Sequence, residues 1–318
     1  MINTLPSDVL AWLQREVGHN VLLSYRGSVA HGLFVPSTEE KSTDDVDLMG
    51  FAVGSIENYF GLTEWSRKGT KEVWIGQYDC VFYEIRKAVS LLLAGNPNIL
   101  SVLWLRPSEY LFLSPAMKEL ITNRHIFAGK HVFHSFSGYA SAQLKKMTSR
   151  DPASIREYLG VTYALKQRGA HPTDQTLPEL SYPGDYIDCS AWSTEKLLAR
   201  YRHFIKSGEN IGYLGDKRKK LVLEHGYDSK NCAHCIRLLR MAKEFLATGE
   251  MQVYRISDVR ELLDIKNGKW SLGDVKALAK DLFAETRIEY NRSPLPETAD
   301  RKGAEDLLIQ IVKEPLLL

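Results

Sequence analysis

The sequence predicts an α+β chain: a mixed sheet flanked by helices at the N-terminal end, followed by a mostly α-helical part. Three observations carry this reading. Short runs rich in apolar and β-branched residues fall within the first hundred positions, a helical pattern precedes them, and after about residue 110 the periodicity turns to long helices. Val9, Trp12, Leu13 and Val17 recur at helical spacing behind Ser7, a good N-cap, so a helix opens the chain. Val21 to Tyr25 reads as a strand stopped by Gly27, and Val46 to Val53 as a second. Val73 to Ile75 and Asp79 to Ile85 read as two more, joined by a hairpin turn at Gly76 and Gln77. A helix from Lys87 to Leu93 ends at Gly95-Asn96-Pro97. Beyond it, Pro115 to Asn123, Phe133 to Met147, Pro152 to Lys166 and Thr194 to Ser207 carry apolar positions three and four apart. Prolines 172, 178 and 183 mark His171 to Asp188 as a loop, and Tyr290 to Pro296 interrupts the last helices. Two domains are expected, over residues 1–110 and 111–318.

Composition narrows the class. The 318 residues are 44% hydrophobic and 25% charged, a globular profile with enough apolar side chains for a sizeable core. Val89 to Ala94 and Ile99 to Leu105 fall far short of the ~20 apolar residues of a membrane span, so no membrane partner is expected. Met1 to Thr4 leads into Asp8, Arg15 and Glu16 rather than a secretory pattern. Four cysteines make no disulfide framework; Cys232 and Cys235 read as reduced thiols, and a cytoplasmic location is expected. A net charge of +2 excludes a general polycation. Two local groups of cations remain, Lys217-Arg218-Lys219-Lys220 and the helically spaced Arg237, Arg240 and Lys243, which suit either phosphates or a solvated helix surface.

Chemistry concentrates in three places. Asp45 and Asp47 alternate along a strand start, so both carboxylates project to one side while Val46 and Leu48 face the other. Such hard oxygen ligands suit Mg²⁺ or Mn²⁺ bridging to triphosphate oxygens, and paired ions ~3.5–4 Å apart activate a hydroxyl and neutralise leaving pyrophosphate. Gly27-Ser28 follows the preceding strand; glycine permits close backbone approach to phosphates, a helix starting there points N–H groups at them, and Ser28 adds a hydroxyl. Asp79 and Glu84 supply acids on a later strand. Lys230, His234 and Arg237 recur at four and three, one helix face able to reach a triphosphate; the alternative is that Arg237 and Arg240 pair with Asp228 or Glu244. His31 suits either a substrate contact or the cap of a short helix. Cys232-Ala233-His234-Cys235 looks like half a zinc site, but no second cysteine pair exists, and the thiols read as core. Tyr83 and Trp104 read as core aromatics.

Gly27-Ser28-Val29-Ala30-His31-Gly32-Leu33 and Ser42-Thr43-Asp44-Asp45-Val46-Asp47-Leu48-Met49-Gly50 together resemble the DNA polymerase β nucleotidyltransferase superfamily. Within it the chain is similar to the group named for RNA repair pathways. That likeness continues through Leu91 to Asn98, Gly226 to Lys230, His234 to Arg240 and Ser293 to Pro296. The resemblance implies a polymerase-β-like catalytic domain in which Gly27 and Ser28 bind triphosphate and Asp45 and Asp47 ligate metal. It also implies a third carboxylate on the later strand. Asp79 is preferred, because Glu84 lies on the opposite strand face by parity. Asp44 stands where many relatives have serine. The implied reaction moves a nucleoside monophosphate from an NTP to a hydroxyl, with an RNA end as acceptor. Protein or small-molecule acceptors would use the same carboxylates. A non-catalytic nucleic-acid-binding protein working through Lys217 to Lys220 is the reading from another class.

Overall fold

The computed structural model describes residues 7–35, 45–75, 78–148, 151–170, 172, 186–206, 211 and 214–316. Gly76, Gln77, Pro178, Pro183 and the Ser42 to Asp44 segment lie outside them. The opening helix forms as its periodicity predicts, α1 (Ser7–Val17), burying Leu13 and Val17. Five strands follow: β1 (His19–Tyr25), β2 (Asp47–Val53), β3 (Thr70–Ile75), β4 (Tyr78–Glu84) and β5 (Tyr110–Leu113), assembled in the order β3-β4-β2-β1-β5. All neighbours pair antiparallel except β2 and β4, which run parallel. Between β1 and β2 lies the one-turn helix α2 (Gly27–Ala30), and α3 (Ile56–Phe60) lies between β2 and β3. Strand β5 is not predicted by sequence: Tyr110-Leu111-Phe112-Leu113 is too short and too uniformly apolar to show a period, and its pairing with Leu22 and Leu23 of β1 identifies it.

The remaining elements are helical: α4 (Ile85–Leu93), α5 (Pro97–Leu100), α6 (Pro115–Thr122), α7 (Val132–Thr148), α8 (Pro152–Gln167), α9 (Thr194–Lys206), α10 (Asp216–His225), α11 (Ser229–Thr248), α12 (Val259–Lys266), α13 (Leu272–Arg292) and α14 (Arg301–Leu316). Local chemistry explains several boundaries. Asn96 caps α5, with Pro97 in its first turn. Asp151 accepts the Ser154 N–H at the start of α8, where Pro152 occupies a first-turn position that needs no N–H donor.

Contacts divide the chain into two units, one of residues 1–139, 237–261 and 280–318, the other of 140–236 and 262–279. Residue 110, where composition changes, begins β5 of the first unit's sheet. In that unit the inward faces of β1, β2 and β4 supply Val21, Leu23, Leu48, Ala52, Cys80 and Phe82, which pack with Leu13, Val17 and Trp65 into one core. Met49, Phe51 and Val53, of the other parity, are buried as well, while α14 packs against β1, β2, α4 and α6. The second unit has its own core of Ile155, Tyr158, Val161 and Leu165 from α8, Leu197, Tyr201 and Phe204 from α9, and Val222 from α10.

Strand β2 carries no side chain at Gly50, and the Phe82 ring fills that space. A Cβ there would stand 2.1 Å from a Phe82 ring carbon and 2.7 Å from the Leu22 carbonyl oxygen. Gly50→Ala is therefore expected to lower the unfolding free energy by about 3 kcal/mol, the upper end for overpacking, as read by urea denaturation. An unchanged midpoint would show that the ring moves aside freely.

Candidate active site

The parallel β2–β4 pairing sets Asp47 directly beside Asp79, Leu48 beside Cys80, and so on to Ala52 beside Glu84. Leu48, Ala52 and Cys80 belong to the core under α1. Strand alternation therefore puts Asp47 and Asp79 together on the opposite face, where both are partly exposed. Glu84 falls on the other parity, as sequence predicts, and it is already engaged: it is 5% exposed, accepts the Tyr59 hydroxyl at 2.7 Å and is held by Arg86 at 3.2 Å. Asp45 is exposed, two residues ahead of Asp47 and just before the strand begins.

Gly27 fits closely against this pair. Its φ of +62° is the left-handed conformation that favours glycine, and a Cβ there would stand 2.9 Å from Asp47 Oδ2. The adjoining Arg26 donates its backbone N–H to the Asp47 carbonyl at 3.0 Å, and its guanidinium lies 3.7 Å from the Asp47 carboxylate. Ser28 follows Gly27 in α2, its carbonyl accepting the Leu33 N–H at 2.8 Å. The donor chemistry fits a hard dication, because Mg²⁺ is usually taken by one or two carboxylates together with phosphate oxygens and waters rather than by a closed protein cage. Among the described residues, no three His, Cys, Asp or Glu side chains are gathered closely enough to hold an ion by themselves.

His31 caps α2 and is buried. Its Nδ1–H donates to the Val253 carbonyl at 3.0 Å, leaving Nε2 to accept from Arg237 Nη1. Burial, and then the Arg237 charge, hold the His31 pKa well below its usual value, which keeps the ring neutral and able to accept. Arg237 is only 6% exposed, touches Met241 Sδ at 3.4 Å, and leaves its buried Nε without a partner. Burial, reinforced by Arg255, lowers its pKa to about 9. Its neighbours differ. Arg255 grips Glu244 at 2.7 Å and Asp258 at 2.8 Å, and Arg240 grips Asp258 and Glu261 at 2.9 Å. Neither Asp228 nor Glu244 thus serves the pairing envisaged from sequence. Asp228 takes Arg218, Glu244 takes Arg255, and Arg237 has no carboxylate partner among the described residues.

Lys230 and His234 lie on α11 at the same helical stripe as Arg237, within the portion belonging to the second unit. In the basic run, Arg218 is bound to Asp228 and Asn231, while Lys219 pairs with Asp216 and sits over the Tyr158 ring. Two of its four cations therefore stabilise their own unit. Cys232 and Cys235 are fully buried free thiols, burial pushing the Cys235 pKa up to about 12, in keeping with core residues. Trp104 is likewise buried, with its indole N–H bound to Glu250. The His31–Arg237 contact is what sequence reading misses. Its members lie more than two hundred positions apart, and no periodicity links them.

No helix among the described residues is long and apolar enough to cross a membrane. No curated protein and no solved structure matches the chain. Residues 5–166, half of the chain, match the family described as the RNA repair pathway DNA polymerase beta family, RlaP. That stretch contains the whole sheet, Gly27-Ser28 and Asp45, Asp47 and Asp79. This chain belongs to the RlaP family, and the family points to a polymerase-β-like nucleotidyltransferase.

Proposed function

We propose that the protein transfers a nucleoside monophosphate from an NTP to a hydroxyl at an RNA end and releases pyrophosphate. The observation that carries the reading is the side-by-side placement of Asp47 and Asp79 at the partly exposed leading end of β2 and β4. Like charges set directly opposite in a sheet are destabilising by roughly 0.2–1 kcal/mol unless something cationic joins them. Asp45, Asp47 and Asp79 would hold Mg²⁺ or Mn²⁺, which when bound neutralises phosphate charge and acidifies the acceptor hydroxyl. Asp79 takes up the acceptor's proton as the hydroxyl oxygen bonds to the α-phosphorus. The bond from that phosphorus to the bridging oxygen breaks, and pyrophosphate leaves with the bonding electrons. Ser28 and the backbone at Gly27 hold the outer phosphates. Arg237, held against the His31 that caps α2 and without a carboxylate partner among the described residues, contributes a positive charge. The family description supports RNA as the acceptor class.

Three outcomes test this reading. In an assay with labelled NTP, Mg²⁺ or Mn²⁺ and a mixed RNA pool, Asp45→Ala and Asp47→Ala are each expected to reduce label transfer by about 10²–10³-fold or more; undiminished transfer would refute the assignment. Gly27→Ala forces a non-glycine residue into the left-handed region and presses on Asp47, so it should cost about 1–2 kcal/mol of stability along with a large fall in kcat. The third outcome concerns pH. His31 binds its proton far less readily folded than unfolded, so the unfolded chain takes up more protons as pH falls below the usual histidine value, and the stability it contributes above that value is lost. Urea midpoints of the native protein should fall between about pH 7 and pH 5, and His31→Gln should flatten part of that slope.

A further inference from the structure

The edge strand extends the row of carboxylates by one residue. Across the antiparallel β3–β4 pair, Trp74 lies directly opposite Asp79, which in turn lies beside Asp47. An indole and two carboxylates thus share one sheet face on three adjacent strands, while Val73 and Ile75, of the other parity, pack toward the core under α1. Trp74 is 66% exposed. Tryptophan is highly buried on average, and this chain's Trp65 and Trp104 follow the rule, each 7% exposed with its indole N–H bonded to a protein acceptor. No ring, cation or hydrogen-bonding partner holds the Trp74 side chain among the described residues. Around the edge of the sheet, on the α1 side, the same residue also lines a groove of about 290 Å³ with Asp8, Val9, Trp12 and Ile75.

We propose that Trp74 is the stacking platform for the terminal nucleobase of the acceptor RNA strand. The inference rests on the reading of Asp79 as the group that receives the acceptor hydroxyl's proton. A nucleoside carries its base and its hydroxyl on one ribose, and directly opposed cross-strand side chains stand about 5 Å apart, so a hydroxyl at Asp79 brings its own base over the neighbouring indole. Charge sets the polarity of the strand. Glu72, opposite Val81, shares this face with Asp79 and Asp47, and three acids repel a phosphate backbone while accepting a neutral base and sugar. The terminal nucleotide therefore enters base first, with its phosphates trailing away from the row. Stacking on an aromatic platform tolerates any base, because every base has a π face, so the platform places the end of the strand without selecting its sequence.

The test uses the full-length protein and a short single-stranded RNA whose 3′-terminal base is 2-aminopurine, a fluorophore quenched by stacking. Binding should quench it in the native protein and in Trp74→Phe but not in Trp74→Ala. In the transfer assay Trp74→Ala should raise the acceptor KM by about tenfold to a hundredfold and leave the NTP KM unchanged, with Trp74→Phe restoring most of the loss. Equal quenching in native protein and Trp74→Ala, or an acceptor KM within twofold, would overturn the platform while leaving the transferase reading intact. Quenching that depends on Trp74 in a protein that transfers no label to RNA would sink the transferase reading and keep the base-binding site. A native protein that binds the RNA without quenching overturns the proposal outright.

Discussion

The parallel pairing of β2 with β4 brings two carboxylates, Asp47 and Asp79, into adjacent positions on one face of the sheet, and their mutual repulsion opposes that pairing. What maintains the register is the reverse face. Leu48, Ala52, Cys80 and Phe82 lie in the core under α1, and a slip of β2 by one residue would carry Asp47 into that core in place of Leu48. Hydrophobic burial on one side thus enforces an electrostatic conflict on the other. Arg26 sets a positive charge 3.7 Å from Asp47. The surroundings accommodate the carboxylates with little spare room: Gly27 approaches Asp47 so closely that a methyl group there would press on its oxygen.

A second asymmetry lies in the arginines of the same unit. Arg255 and Arg240 share Asp258 and draw in Glu244 and Glu261, a network in which buried cations are matched by anions. Arg237 has instead a neutral imidazole and a thioether. Leaving a buried guanidinium without an anion carries a desolvation penalty of several kcal/mol, and the lowered pKa of Arg237 expresses it. The site proposed here provides a use for that charge, because a triphosphate would bring the missing anion. His31 suits the role of support, since its pKa, depressed first by burial, keeps Nε2 available as an acceptor.

Much of the fold is legible along the chain because its elements carry their own period. The helix α1 and the strands β1, β2 and β4 appear where spacing and β-branched content place them, and Pro152 with Asp151 announces the start of α8. Strand β5 does not, since four apolar residues have no period and acquire their identity from β1. The partners of Arg240 are also hidden. Helical spacing shows which residues share its own helix face, but Asp258 and Glu261 come from the segment after the helix ends.

Local chemistry is already set along the chain: Gly27-Ser28 after a strand, Asp45 and Asp47 at alternate positions of the next, and a parity that separates Asp79 from Glu84. What these residues face depends on the assembled fold. It made β2 and β4 parallel, so that Asp79 lies beside Asp47; it placed Trp74 at the end of the same row; and it buried Arg237 against the imidazole of His31. The physical reason is that alternation and helical period are properties of neighbouring residues. Strand pairing and burial are settled by segments tens to hundreds of positions apart, through the area each removes from water.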